Sequence, residues 1–299
     1  MKYNIAVIIT CYNRKAKTLA CLDRLFHAQE VQGNVELSVF LTDDGCTDGT
    51  ADAVRTTFAG KDIHILQGNG QLYWAGGMLL AWKAAMSQSK EWDFYLLLND
   101  DTFVMEGVFK ELFSAHDHSL RTFGKAGIYS GVTCDPHDPQ RITYGGGVYA
   151  DAARCKIREL EPSGQPQLVE RTNANILLVS RSVVEKVGIF YEGYFHSGPD
   201  IDYSIMVRKA GLPAWITAHV CGTCPFDHTS DADVCRALMK MSLKERMAYL
   251  QNPLHREHDH LVFVKRHNPE KYPITWLLQK LRLYAPSIYM LVNKARGLY

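Results

Sequence analysis

Over its first hundred residues the chain alternates short, β-rich apolar runs with segments of helical period, and no other feature restricts the fold as strongly. "YNIAVIIT", "VELSVFLTD", "DIHILQ" and "DFYLLL" are the apolar runs. Between them stands "KAKTLACLDRLFHA", with Leu19, Leu22, Leu25 and Phe26 at helical spacing. "TDGTADAVRTTFAG" predicts a second helix, with Thr47 or Asp48 as its cap and Gly60 just past its end. "GNGQLYWAGGM" reads as a Gly-rich turn into a third helix, "LLAWKAAMSQS". Repeated β-α units of this kind build an α/β fold, a parallel sheet covered by helices on both faces.

From about Glu106 to Gln167 the pattern loosens into turn-rich sequence. It tightens at "NANILLVS" (strand), "RSVVEKVG" (helix), "DIDYSIMVRKAG" (helix closed by Gly211) and "PAWITAHV" (strand), after which the chain is mainly helical. The 299 residues suffice for a sizeable core in one large or two smaller domains, and 46% hydrophobic with 22% charged residues is an ordinary globular composition.

In open α/β sheets, ligands bind beyond the carboxyl ends of the strands. The polar residues there are Thr10, Tyr12 and Asn13 after the first run, Asp43 and Asp44 after the second, Asn69 after the third, and Asn99, Asp100 and Asp101 after the fourth. Singly, each is an ordinary cap or turn residue; together at one sheet edge they favour a site. "TCYNRK" has no G-x-G-x-x-G, and the chain has no G-x-x-x-x-G-K-[ST], so a Rossmann dehydrogenase and a P-loop nucleoside triphosphatase are disfavoured. Adjacent carboxylates repel unless a cation lies beside them. A diphosphate brought to such acids requires Mg²⁺ or Mn²⁺ between its oxygens and theirs.

The motifs resemble the family 2 glycosyltransferases of the GT-A fold over roughly Ile5 to Thr223: "VIITCYNR", "FLTDDGCTDGT", "NDD" where that family carries Asp-x-Asp, and "VGIFYEGYFHSGPDIDYSIMVRKAG". The resemblance implies a Rossmann-like mixed sheet flanked by helices in residues 1–225, with a nucleotide-sugar half (about 1–105) and an acceptor half (about 106–225). Residues 226–299 would form a helical C-terminal extension. It also implies roles. Asp43 would accept from the base of a nucleoside diphosphate sugar, with Thr10, Tyr12 and Asn13 in the same pocket, while Asp44 shapes the turn. Asp100 would lie near the ribose or the metal, Asp101 would be the principal metal ligand, and Asp200 the general base of an inverting transfer to a glycan or lipid-linked hydroxyl. Arg208 is a candidate for the phosphates, or plain surface. His219 and His228 are weak candidates to complete the metal shell. Trp74 is either a stacking platform for a sugar ring or core. Two departures stand out: Asn99 replaces the first acid of the metal motif, and Pro199 replaces the Glu usual before the catalytic Asp. Asp200 and Asp202 also suit a helix N-terminus as anions. Bacterial surface polysaccharide (capsule or O-antigen) is the expected setting.

Net charge is +1, yet Lys265 to Tyr299 holds seven Lys/Arg against one Glu, a net of +6, which leaves −5 for the rest. Such a tail suggests an anionic neighbour, a membrane surface or nucleic acid, with a plain solvated basic end the alternative. Its aromatic residues fit an acceptor anchored in a membrane, and no nucleic acid is expected as partner. "WLLQKLRLY" puts Trp276, Leu277, Leu281 and Tyr284 near one helical face, with Lys280 and Arg282 at its flanks. The alternative is packing on the catalytic domain or on a second subunit in a homodimer. No apolar run has the length of a signal-peptide core or the ~18 residues of a membrane span, so a cytoplasmic protein, at most peripheral to the inner face of the membrane, is expected. The eight cysteines are then mostly buried thiols; "HVCGTCPFDH" gathers His219, Cys221, Cys224 and His228 but supplies no second ligand pair for zinc. A sugar nucleotidyltransferase and a non-catalytic glycan-binding protein are the alternative functions. The first lacks its Gly-rich, Arg-containing loop near residue 10.

Overall fold

The computed structural model describes residues 2–151, 156–226, 229–255 and 257–297. They fall into two compact units: Met1–Glu192 with Pro199–Phe226, and Gly193–Gly198 with Asp227–Tyr299.

The first unit opens with β1 (Tyr3–Cys11), α1 (Lys15–Gln32), β2 (Val35–Asp43), α2 (Thr50–Thr57), β3 (Ile63–Gln67), α3 (Tyr73–Met86) and β4 (Phe94–Leu98). It continues through β5 (Phe103–Val104), α4 (Val108–Phe123), β6 (Ile128–Cys134), β7 (Ile142–Tyr144), β8 (Gly146–Asp151), β9 (Lys156–Glu159), β10 (Gln167–Leu168) and β11 (Arg171–Thr172). It closes with β12 (Ile176–Ser180), α5 (Arg181–Val187), α6 (Pro199–Lys209) and β13 (Ala214–Thr223). The main sheet has the order β10-β13-β6-β12-β4-β1-β2-β3, and β11-β8-β9 form a small second sheet.

β1 lies beside β2 and β4, parallel to both, and β3 extends the parallel set from β2. Its apolar run is fully buried because both faces of the sheet are covered. Ile5, Val7 and Ile9 pack with Cys21, Leu22 and Leu25 of α1 and Phe109 and Leu112 of α4. Ala6 and Ile8 pack on the opposite face with Met78 and Trp82 of α3 and Tyr203 and Val207 of α6. The two-residue strand period sorts one run into two cores, and each large apolar side chain so buried contributes about 1.5–3 kcal/mol.

The sheet is mixed. β12 runs antiparallel to both β4 and β6, so β6, and β13 parallel to it, point the same way as β1 to β4. Local sequence differs from expectation at three places. α2 begins at Thr50 after Gly49 in the left-handed region (φ 76°), not at a Thr47 or Asp48 cap. Asp48 instead accepts from the backbone N–H of Thr50 (3.1 Å) and, with its other oxygen, of Lys15 (2.9 Å), joining the starts of two helices. α3 begins at Tyr73, so "YWAGGM" is helix rather than turn. The stretch expected to be loose contains all of α4 and the fully buried strand β6.

The second unit consists of α7 (Asp231–Met239), α8 (Leu243–Gln251), α9 (Glu257–His267), α10 (Tyr272–Tyr284) and α11 (Pro286–Ala295) with the segment Gly193–Gly198. Ser242 and Glu245 form a reciprocal capping box at the start of α8. The buried Asp259 of α9 accepts backbone N–H bonds from Phe195, His196 and Ser197.

Candidate active site

The carboxyl ends of β1, β2, β3 and β4 deliver their polar residues to one edge of the sheet. There the acids have distinct partners. Asp44 turns away from the opening and accepts from the backbone N–H groups of Gly70 (2.9 Å), Leu72 (3.0 Å) and Tyr73 (3.0 Å). It therefore caps α3 across 28 residues of sequence and fixes the loop that carries Asn69, which is exposed and accepts from Gln71 N–H. Asp43 is buried, with Oδ1 accepting from Cys46 N–H at 2.6 Å.

Thr10 is buried beneath α3. A Cβ at Gly77 would stand 2.1 Å from Thr10 Oγ1, so glycine is what allows the helix to approach β1 this closely. The neighbouring Thr42 donates to Gly77 O at 2.8 Å. Thr10 thus serves the packing of the wall. Tyr12 stands exposed at the rim. Asn13 adopts φ 50° and accepts from Thr47 N–H at 2.7 Å, bracing the loop after β2.

The adjacent charges of Asp100 and Asp101 are met by Arg14, a residue to which no sequence motif assigns a role. Arg14 lies between them, its Nη1 donating to Asp101 Oδ2 at 2.7 Å. Its Nη2 stands 2.7 Å from Asp100 Oδ1, an ion pair rather than an aligned hydrogen bond. Thr18 Oγ1 donates to the second Asp100 oxygen at 3.2 Å. Asp100 is 1% exposed and directed at α1. Burial lifts its carboxyl to about 7, against the pull of Arg14 and with the added push of the Asp101 charge. Of its two oxygens, one thus faces Thr18 of α1 and the other Arg14. Asp101 is the more open of the two (side chain 15% exposed), and Arg14 is the only partner of its carboxylate among the described residues.

Asn99 is partly exposed, and the Trp74 indole N–H donates to its Oδ1 at 2.8 Å. Trp74 also packs at 5.7 Å between ring centroids on Phe190, so one side chain reaches both the core and the strand end. Asp200 comes to the same place through the amino end of β12. Asn99 N–H donates to Asn175 O (3.2 Å), and the adjoining Ala174 N–H donates to Asp200 Oδ2 (3.3 Å). Asp200 Oδ1 accepts from Ile201 N–H at the start of α6. Burial raises the Asp200 carboxyl above the ordinary range, opposed by those two N–H groups and by the charge of Arg171.

Two other candidates lie elsewhere. Arg208 pairs with Glu170 at 3.3 Å, two turns along α6 from Asp200. His219 is 64% exposed in its side chain and pairs with Glu111 at 3.1 Å. His228 lies outside the described residues. The end of β13 does reach the site, since Gly222 and Thr223 pair with Val104 and Phe103, just beyond Asp101. Cys221 and Cys224 are buried thiols, bonded to Thr217 Oγ1 and to Asn175 Nδ2 respectively. Among the described residues no three His, Cys, Asp or Glu side chains gather to hold a metal. At the strand end Asp101 is the more open carboxylate, with one oxygen paired to Arg14. Mg²⁺ and Mn²⁺ commonly take one or two protein carboxylates plus phosphate oxygens and water, so a single carboxylate would suffice for an ion shared with substrate phosphates.

Residues 6–183 match the model of Glycosyl transferase family 2. A search of curated protein sequences gives no match. Among solved structures, the chain is similar to the mannosyltransferase PcManGT from Pyrobaculum calidifontis in complex with GDP-Man and Mn²⁺ (TM-score 0.51, 15% identity, 100% of this chain and 81% of that one). It is also similar to S. aureus TarS 1-349 (TM-score 0.55, 14% identity, 100% and 93%). At such identities the likeness shows a shared GT-A glycosyltransferase fold.

Proposed function

The chain belongs to glycosyl transferase family 2, and on that premise we propose that it moves a sugar from a nucleoside diphosphate sugar to a hydroxyl of a glycan or lipid-linked acceptor, with inversion at the anomeric carbon. The observation that carries this reading is the backbone bridge Asp200–Ala174–Asn175–Asn99. It ties Asp200, at the head of α6, to the edge where Asp43 and Asp101 follow their strands.

Each residue then has a task. Asp43 holds the base, its carboxylate oriented by Cys46 N–H. Asn99 meets the diphosphate or ribose as a donor: an indole N–H can only donate, so Oδ1 is occupied and the amide N–H groups remain. Arg14 keeps the two acids together and brings a guanidinium to the place where the diphosphate arrives. Asp101 would hold Mg²⁺ or Mn²⁺, which when bound neutralises charge on the departing nucleoside diphosphate. Asp200 takes the proton of the attacking hydroxyl, whose own pKa lies far above neutrality, from the face opposite the leaving group. Partial burial favours this, because a carboxyl of raised pKa is a stronger base once ionised.

A lipid-linked acceptor places the work at the inner face of a membrane, in the assembly of bacterial surface polysaccharide. The test is a thermal-shift panel of UDP, GDP and dTDP with Mn²⁺, followed by mass spectrometry of products from the matching nucleotide sugars. A raised melting temperature and a glycosylated product are expected. No response to any nucleotide supports a non-catalytic glycan binder, and pyrophosphate release from sugar phosphate plus nucleoside triphosphate supports a nucleotidyltransferase.

A further inference from the structure

The helices α10 and α11 have their polarity reversed. On α10, Arg282 faces inward, 12% exposed, and forms ion pairs with Asp231 (2.7 Å) and Glu257 (2.5 Å). Gln279 donates to Glu257 O at 2.8 Å, and Arg246 reaches the carbonyls of Leu283 and Tyr284 at the end of the helix. The outward side is apolar: Leu277 is 56% exposed, Tyr284 61%, and Ile274 and Trp276 flank them. Leu277 and Tyr284 are seven residues apart with Lys280 between them, so they form one stripe. The next helix also has exposed apolar residues, Ile288 and Leu291 (67% exposed), about one turn apart, with exposed Lys294 about one turn further on. This is the opposite of a helix that meets water with its charged face. Six large apolar side chains exposed on two helices that pack on each other mark a surface that another phase or molecule covers.

Charge indicates which. From Lys271 to Tyr299 the sequence contains no Asp or Glu. Lys280 lies over the Trp276 ring at 5.3 Å, and Lys294 is exposed beside Leu291. In a two-fold interface the same patch meets itself, so a second copy seated here would bring lysine toward lysine with no acid of the patch between. An anionic surface removes that conflict. Neither helix is long and apolar enough to cross a bilayer; the mode open to them is to lie in the interface, where aliphatic groups sit below the headgroups and Trp, Tyr and Lys at their level. The sequence expectation is revised: Arg282 belongs to the interior, Leu281 is half-buried rather than exposed, and α11 adds Ile288 and Leu291.

We propose that the face made by Ile274, Trp276, Leu277 and Tyr284 of α10 with Ile288 and Leu291 of α11 docks on an anionic lipid bilayer. The proposal rests on the transfer reading only for its purpose, since a lipid-linked acceptor lies in the same plane. The test is co-sedimentation of the full chain with phosphatidylcholine vesicles, with and without a quarter phosphatidylglycerol, in the absence of any donor. Binding to the anionic vesicles alone is expected, weakening as salt rises. Leu277→Gln/Leu291→Gln should weaken it about tenfold or more at unchanged melting temperature, both positions being exposed. Lys280→Glu/Lys294→Glu should weaken it by roughly fivefold or more for each lysine. Absence of binding at low salt overturns the proposal, as does equal binding by the variants. Light scattering that shows a dimer dissolved by the Leu277/Leu291 substitutions overturns it in favour of a second copy. A nucleotide thermal-shift measurement on the same samples separates the two claims. Vesicle binding without a nucleotide response defeats the transfer reading alone, and the converse defeats only the lipid surface.

Discussion

The bond from Trp74 to Asn99 makes a quantitative prediction about how this site meets a diphosphate. The indole N–H occupies Asn99 Oδ1 at 2.8 Å and so sets which way the amide faces. Trp74→Phe retains a ring against Phe190, whose centroid lies 5.7 Å from that of Trp74, but removes the donor. A neutral, partly buried hydrogen bond contributes about 0.5–1.5 kcal/mol. If its loss appears as lost orientation of the amide, nucleoside diphosphate affinity falls roughly 2- to 12-fold. Asn99→Asp is the complementary change: it retains an acceptor for Trp74 and replaces the amide donors with a third carboxylate next to Asp100 and Asp101. Affinity without metal should then fall further than affinity with Mn²⁺, so the ratio of the two dissociation constants increases. Isothermal titration with EDTA and with Mn²⁺ measures both, using whichever of UDP, GDP and dTDP binds. An unchanged ratio in Asn99→Asp, together with Trp74→Phe affinity within experimental error of wild type, would refute the donor role of Asn99.

Asp44→Ala leaves three N–H groups at the start of α3 without their carboxylate. Bonds to a charged acceptor contribute about 1.5–3 kcal/mol each and do not add fully, so a loss of about 3–5 kcal/mol is expected. Calorimetry should show a melting temperature lower by roughly 10 °C; a shift under about 2 °C contradicts the capping role. Gly77→Ala puts a methyl 2.1 Å from Thr10 Oγ1 and should cost about 1–3 kcal/mol in chemical denaturation, whereas wild-type stability would show that α3 can move aside. Transfer needs Asp200 ionised, and burial raises its pKa. The rate should therefore fall as pH drops through a value above the ordinary ~3.9 of Asp, and a limb at or below that value is incompatible with the environment described here.

Much of this was legible in the sequence, for identifiable reasons. β1 and β4 are legible as unbroken apolar runs because both sheet faces are covered there, β2 and the half-buried edge strand β3 are legible by their β-rich composition, and local periodicity suffices for α1. α3 was placed late because its cap is nonlocal: Asp44 lies 28 residues before Leu72, and the glycines that resemble a turn are there for close packing on Thr10. α4 carried a readable signal, Val108, Phe109, Leu112 and Phe113 at helical spacing, hidden by turn-rich neighbours. The direction of Asp100 was also readable. The two-residue alternation of Leu96 and Leu98, which face α1, continues into Asp100, and that of Leu97 into Asn99. Arg14 carried no such signal, since its role comes from the meeting of the loop after β1 with the end of β4. The antiparallel placement of β12, which brings Asn175 and through it Asp200 to the strand edge, is a matter of pairing that no local pattern records.

The most direct test of the account is sugar transfer by Asp200→Asn, measured alongside nucleotide binding. A positioned general base contributes about 10²- to 10⁴-fold. The substituted amide has one oxygen where Asp200 uses two, so it retains one of the N–H bonds from Ala174 and Ile201 and sets its NH2 against the other; a modest loss of stability with the fold retained is expected. The account predicts a loss of transfer in that range with nucleoside diphosphate affinity within about twofold of wild type. Transfer at the wild-type rate would contradict it.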